Sequence, residues 1–350
     1  MQYLLVIMLT MLALSGCGKT NTLQAHYEKA YRLFFEKQDM DAAYLELDYI
    51  QKKKPGFIAP YFNFMLAYGN DARHHYHPAI KEYLKELHVN SQKSKQDIDV
   101  YQWSIVGLAD TYYKAGLLYK DLFELAVNSQ INYYGCKLYL LKKTPEKKSE
   151  HYLYYYRGLC YYYVRELDRA IDDLKKAGDY LPAQVILGAC YHLKGMNQES
   201  VKIWDRVRVT KDPKVLALLG RVCVECGLDG LGLCEKAYRI CPNEVTAACL
   251  ASAYVHTDSI DKALNLMNKM DSPEIIDEWG GYADKETGIK IAYTTKFYDP
   301  QYLMIQAKAY FLKAAEYYLK TKSEYGLCQA GICQLEAGDR KKACSMLSEV

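Results

Sequence analysis

Apolar and polar positions along this chain follow a helical period, and the pattern comes in pairs of helices. The segment from His26 to Pro55 shows it most cleanly. Tyr27, Ala30, Tyr31 and Phe34 share one face of a first helix; Ala43, Leu47 and Ile50 share one face of a second; Pro55 stands at the exit. The same offsets return at Tyr154, Arg157, Gly158, Tyr161, Ala170, Leu174, Ala177 and Pro182. Leu187, Gly188, Tyr191, Gly195, Ser200 and Trp204 follow one unit later, then Leu219, Gly220 and Gly227, then Leu250, Ala251, Tyr254, Ala263 and Met267. Leu327, Ala330, Gly331, Gly338, Asp339, Ala343 and Leu347 carry the pattern to the end. Gly158 to Gly188 is 30 residues, Gly188 to Gly220 is 32 and Gly220 to Ala251 is 31. Weaker copies occupy 57–89, interrupted near His74–Pro78, and 101–141, where Leu108, Ala109, Tyr112 and Gly116 fit the spacing. Each unit has too little core to stand alone, so neighbours must stack, with Gly or Ala where the two helices cross.

This spacing resembles the tetratricopeptide repeat, whose period is about 34 residues. Tyr31 stands where the family's small crossing residue is usual, and the central units are a few residues short. The resemblance implies an all-α fold, a right-handed α-solenoid of helix-turn-helix repeats, and a protein-binding role without catalysis. On this reading the N-terminal repeats span 26–141, a charged linker 142–150, central repeats 151–270 and C-terminal helices 301–350. An irregular insertion at 271–300, with Gly280-Gly281 and a β-branched IAYTT run, separates the last two.

The N-terminus sets the expected compartment. Tyr3 to Leu14 is an apolar core too short for a permanent membrane helix, and it ends in Leu14-Ser15-Gly16-Cys17. That ending resembles the lipobox of bacterial lipoproteins, although no Lys or Arg precedes the core. The resemblance implies a signal peptide over 1–16, lipid on Cys17, a tether over 17–25 and a place in the bacterial cell envelope. Gly18, not Asp, in the second mature position implies the outer membrane, facing the periplasm; a soluble export signal is the alternative. Ala13 to Thr20 also fits a permissive phosphate-binding loop, but no later segment reads as the parallel strands such a loop requires.

Composition sharpens the functional reading. Lys and Arg outnumber Asp and Glu by 45 to 42, an excess too small for a nucleic-acid binder. Tyrosine is the anomaly, 35 of 350 residues, and seven of them fall within His151–Val164. With Tyr154, Gly158 and Tyr161 in the stack, Tyr152, Tyr155 and Tyr162 are expected on the inner face, and Trp103 and Tyr113 at equivalent positions in the preceding unit. Tyr and Trp combine large contact area with a polar tip, so these five residues are candidates for a groove that holds a protein partner. Tyrosine as packing filler, or as stacking platforms in a surface lipoprotein that binds glycan or nutrient, are the competing readings.

The cysteines point less far. Cys223, Cys226, Cys234 and Cys241 cluster in sequence, but at the gaps of the repeat, and eleven thiols besides Cys17 cannot all pair. They read as small buried hydrophobes, ahead of a Cys223–Cys226 or Cys234–Cys241 disulfide and of a zinc site. His74, His75 and His77 read as a polar inter-helix loop, and the lysines at 52–54 and 142–148 as solvated faces, with attraction to anionic lipid or cell-wall polymer the minority reading. No cofactor, metal or nucleophile arrangement is implied. The sequence thus reads as a membrane-anchored, non-enzymatic scaffold for proteins of the cell envelope.

Overall fold

The computed structural model describes residues 22–91, 98–141, 150–268 and 300–349; they form sixteen helices and no strand. They divide into two compact units, Met1–Thr111 and Tyr112–Val350. The first holds the hairpins α1 (Thr22–Phe35) with α2 (Met40–Lys53) and α3 (Phe62–Ala72) with α4 (Tyr76–Ser91), and the start of α5 (Ile98–Leu141). The second holds the rest of α5 and the hairpins α6 (Glu150–Tyr163) with α7 (Leu167–Lys176), α8 (Leu181–Leu193) with α9 (Asn197–Arg208), α10 (Pro213–Glu225) with α11 (Leu231–Ile240) and α12 (Glu244–His256) with α13 (Ile260–Asn268). It ends with α14 (Pro300–Lys320), α15 (Glu324–Glu336) and α16 (Arg340–Leu347).

Within each unit the fold is all-α, helix hairpins stacked in series in the manner of an α-solenoid, as the repeat spacing implies. Local chemistry sets the boundaries. Asp39, Asp212, Asn243, Ser323 and Asp339 cap helix starts with their side chains, and Pro182 and Pro213 occupy first turns, where a missing N–H is harmless. Packing follows the pattern: in α7 Ala170, Ile171 and Leu174 are buried on one stripe while Arg169, Lys175 and Lys176 stay outside.

Small residues at the helix crossings make the hairpins tight. A Cβ on Gly158 would lie 2.9 Å from Leu174 Cγ, and one on Gly188 would collide with the indole of Trp204. Trp204 is 2% exposed and donates from Nε1 to Val185 O at 3.0 Å, so it has nowhere to retreat. Gly188→Leu is therefore expected to lose about 1–3 kcal/mol by overpacking, read as a lower urea midpoint with an unchanged slope.

One expected hairpin is absent. The pattern at Leu108, Ala109, Tyr112 and Gly116 belongs to a single 44-residue helix, α5. After Gly116 the chain continues Leu117-Leu118-Tyr119, with no Asp, Asn or Pro to draw it out of the helix. Gly195-Met196-Asn197 and Gly338-Asp339 show what the true turns contain. The segment 1–16 expected to be a signal peptide, Cys17, most of the 142–150 linker and the 271–300 insertion up to its last residue lie outside the described residues. Among the described helices none is long and apolar enough to cross a membrane.

Candidate functional site

The first helices of the hairpins in the second unit, α6, α8, α10 and α12, pack in a row that continues into α14. Helix α5 bridges the two ends of that row. Towards its middle, Tyr112 lies 5.7 Å from Tyr310 and stacks on Tyr317 at 5.8 Å, Tyr119 meets Tyr310 at 5.3 Å, and Lys120 pairs with Glu336 at 2.7 Å. Further along, Phe123 meets Tyr163 at 6.1 Å and Tyr134 stacks on Tyr156 at 5.5 Å. The missing turn after Gly116 has this structural consequence: an uninterrupted helix lies against α6, α14 and α15.

This placement corrects the expected groove. Tyr155 is 7% exposed and Tyr162 is 2% exposed, so neither lines an accessible surface. Burial pushes both phenols well above their ordinary range and keeps them protonated. Tyr113 is half-buried, with its ring 5.7 Å from Phe311. Tyr152 and Trp103 are exposed, at 43% and 51%, and belong to different units. Of the five residues, Tyr155 and Tyr162 therefore add nothing to an accessible groove.

Two local arrangements replace it. The first is an aromatic cluster at the start of α6. Tyr152 and Tyr156 are one turn apart, and Tyr156 is 42% exposed. Tyr180, the residue that opens α8, packs at 4.9 Å from Tyr152 and 5.2 Å from Tyr155; His151 lies 3.9 Å from Tyr152. Each exposed ring is braced on one side by another ring, which holds its orientation without ligand. Tyr156 and Tyr180 were not singled out by the repeat alignment: Tyr180 lies in a turn, and only the packing brings it beside α6. In the first unit Trp103 sits 6.1 Å from Phe64, and Tyr68, one helical turn on from Phe64, is 41% exposed.

The second arrangement is a buried ion network inside the row. Arg221 on α10 is 0% exposed; its Nη1 donates to Tyr163 Oη at 3.1 Å and its Nε lies 3.4 Å from Glu225 Oε1, an ion pair without hydrogen-bond geometry. Tyr162 donates to Glu225 Oε2 at 2.9 Å and Ser252 Oγ to Oε1 at 3.2 Å. Burial alone would raise the Glu225 carboxyl, but Arg221 and the Tyr162 hydroxyl together hold it below its ordinary value. Lys308 Nζ lies 3.2 Å from His256 Nε2, the geometry of an ammonium donating to neutral imidazole. Burial, then the Lys308 charge, bring His256 down to about 4.

That shift has a sign. An imidazole that titrates near 6.5 when unfolded and about 4 when folded leaves the unfolded chain binding more protons between those values. Stability is expected to be full above about pH 6.5 and to fall as pH drops towards 4, by up to about 3 kcal/mol from His256. Burial places His77 of the first unit at about 4 as well, so it acts in the same direction. Melting temperature followed from pH 7.5 to 4.5 checks this, and His256→Gln is expected to flatten part of the slope.

Cys223, Cys226, Cys234 and Cys241 are free thiols, and Cys160, Cys190, Cys223, Cys234, Cys249 and Cys333 are buried. Burial pushes the Cys190 and Cys226 thiols up to about 12, so they are not thiolates at neutral pH. The Cys223–Cys226 and Cys234–Cys241 pairings considered from sequence are therefore not formed. Among the described residues no group of three His, Cys, Asp or Glu is placed to hold a metal ion. His74 instead packs its ring beside Tyr76 and shares a 3.0 Å hydrogen bond with it.

No protein-family model matches this chain, and no curated protein matches it. Among solved structures it is similar to yeast Tom70, at 11% identity over 94% of this chain and 91% of that one, with a TM-score of 0.31. It is also similar to a tetratricopeptide repeat protein from Parabacteroides merdae, at 14% identity over 94% and 98% of the two chains, with a TM-score of 0.23. The fold assignment rests on the helix hairpins themselves.

Proposed function

We propose that this chain is a lipid-anchored, non-catalytic scaffold that holds protein partners at a membrane of the bacterial cell envelope. The observation that carries the partner-binding role is the braced aromatic cluster of Tyr152, Tyr156 and Tyr180, which presents two rings more than 40% exposed on a rigid helix-pair framework. Exposed tyrosines whose orientation is already fixed lose little entropy when a partner covers them. Helix α5 lies against α6 and α14, so the reading places the partner on this outer cluster instead of in a groove lined by Tyr155 and Tyr162. The anchor rests on Leu14-Ser15-Gly16-Cys17, and the outer-membrane address on Gly18.

The test is a pull-down from detergent-solubilised envelope with the lipidated chain and with a Tyr152→Ala/Tyr156→Ala/Tyr180→Ala variant. Envelope proteins retained stoichiometrically by the first and lost from the second would support the scaffold. Identical protein lists from both would remove the cluster from the account. Retention on a polysaccharide column that the triple variant abolishes would favour glycan binding instead.

A further inference from the structure

The two most exposed large apolar side chains among the described residues are Ile58, at 88%, and Val209, at 82%. Both sit in turns that leave the second helix of one hairpin for the first helix of the next, and both are flanked by cations. Ile58 follows Lys52, Lys53 and Lys54, all exposed, at the end of α2. Val209 stands among Arg206, Arg208, Lys211 and Lys214, likewise exposed. Nearby acids offset part of this charge: Asp48 pairs with Lys52 at 2.7 Å, Asp205 with Arg208 at 3.2 Å, and Asp212 caps α10. Cations at a helix C-terminus complement its dipole, which accounts for some of them. It does not account for a bare branched apolar side chain at the tip of each turn.

The α2–α3 turn is built to keep Ile58 outside. Its neighbour Phe57 is buried, 6.0 Å from the Tyr27 ring and 5.2 Å from Phe62, and Tyr27 donates from its hydroxyl to Pro60 O at 2.7 Å. These contacts also tie the turn to the early part of α1, which begins at Thr22. The five chain steps back to Cys17 span at most about 17 Å, so a lipid there would hold this turn near the bilayer.

We infer that the α2–α3 turn is a membrane-docking edge, with Lys52, Lys53 and Lys54 facing anionic lipid headgroups and Ile58 entering the interfacial layer. A projecting tip with surrounding cations suits a planar anionic surface, whereas an acidic protein would need a complementary concavity. The inference deepens the membrane-attached reading above and rests on it for the orientation of the chain, but its test does not need the anchor.

The chain from residue 17 onwards, carrying Cys17→Ser so that no lipid is attached, would be sedimented with phosphatidylglycerol-rich vesicles and with pure phosphatidylcholine vesicles. Binding to the first alone, stripped by salt, is expected. Lys52→Gln/Lys53→Gln/Lys54→Gln should weaken it on the order of a hundredfold, and Ile58→Asp on the order of tenfold, with circular dichroism unchanged. Equal binding to both vesicles, no binding to either, or unaltered binding by both variants would overturn the inference. Mass spectrometry of residue 17 reads the anchor separately. Lipid on Cys17 with no vesicle binding by the lipid-free chain would sink the docking edge alone, and docking without lipid would sink the anchor alone.

Discussion

Glu225→Leu is expected to remove about 3–5 kcal/mol from the stability of the second unit. The reason is what it leaves behind. Arg221 is fully enclosed, and its Nε and Nη2 already lack hydrogen-bond partners. Without the carboxylate its charge would keep only the 3.1 Å contact to Tyr163, and the Tyr162 and Ser252 hydroxyls would lose their acceptor. Leucine supplies apolar volume but no counter-charge. The paired change Arg221→Met/Glu225→Leu should recover most of the loss, because it removes both charges from a site that solvates neither. Urea unfolding of the two single variants and the double variant gives the cycle. A single-variant loss under about 1 kcal/mol would mean that water reaches the network.

Trp204→Ala comes next, with an expected loss of about 3–5 kcal/mol. The indole fills the crossing of α8 and α9 against Gly188, is 2% exposed and spends its only donor on Val185 O. Truncation opens a cavity whose opposite wall is a glycine, which has no side chain to collapse into it. The Val185 carbonyl keeps its place in α8, so the loss is dominated by packing. Differential scanning calorimetry should show a melting temperature lower by several degrees, and Trp204→Phe, which keeps most of the volume, should restore more than half of it.

These two residues differ in how legible they were. Trp204 was visible as one large residue at the repeat's second-helix position, opposite Gly188, because crossing geometry follows directly from spacing. Outside 101–141 the hairpin boundaries are equally readable, since Gly195, Pro182 and Asp339 signal turns and caps locally. The Arg221–Glu225 pair was not. Its members sit one turn apart on α10 and look like an ordinary surface pair, and only packing against α6 and α12 encloses them. The same limit applies to the candidate site. The alignment put Tyr155 and Tyr162 on the inner face, but it assumed a hairpin over 101–141, and the continuous helix α5 is packed against that row instead. Tyr152 kept its exposure, while Tyr156 and Tyr180 joined it through contacts between segments that no repeat register encodes.

The central claim is that the tyrosine cluster at the start of α6 meets a protein partner. The most direct measurement places a photo-crosslinking phenylalanine analogue at position 156 of the chain in its native cells and, as a control, at buried position 155. One discrete protein adduct is expected from position 156 on irradiation and none from position 155. Adducts absent from both positions, or equal from both, would contradict the claim.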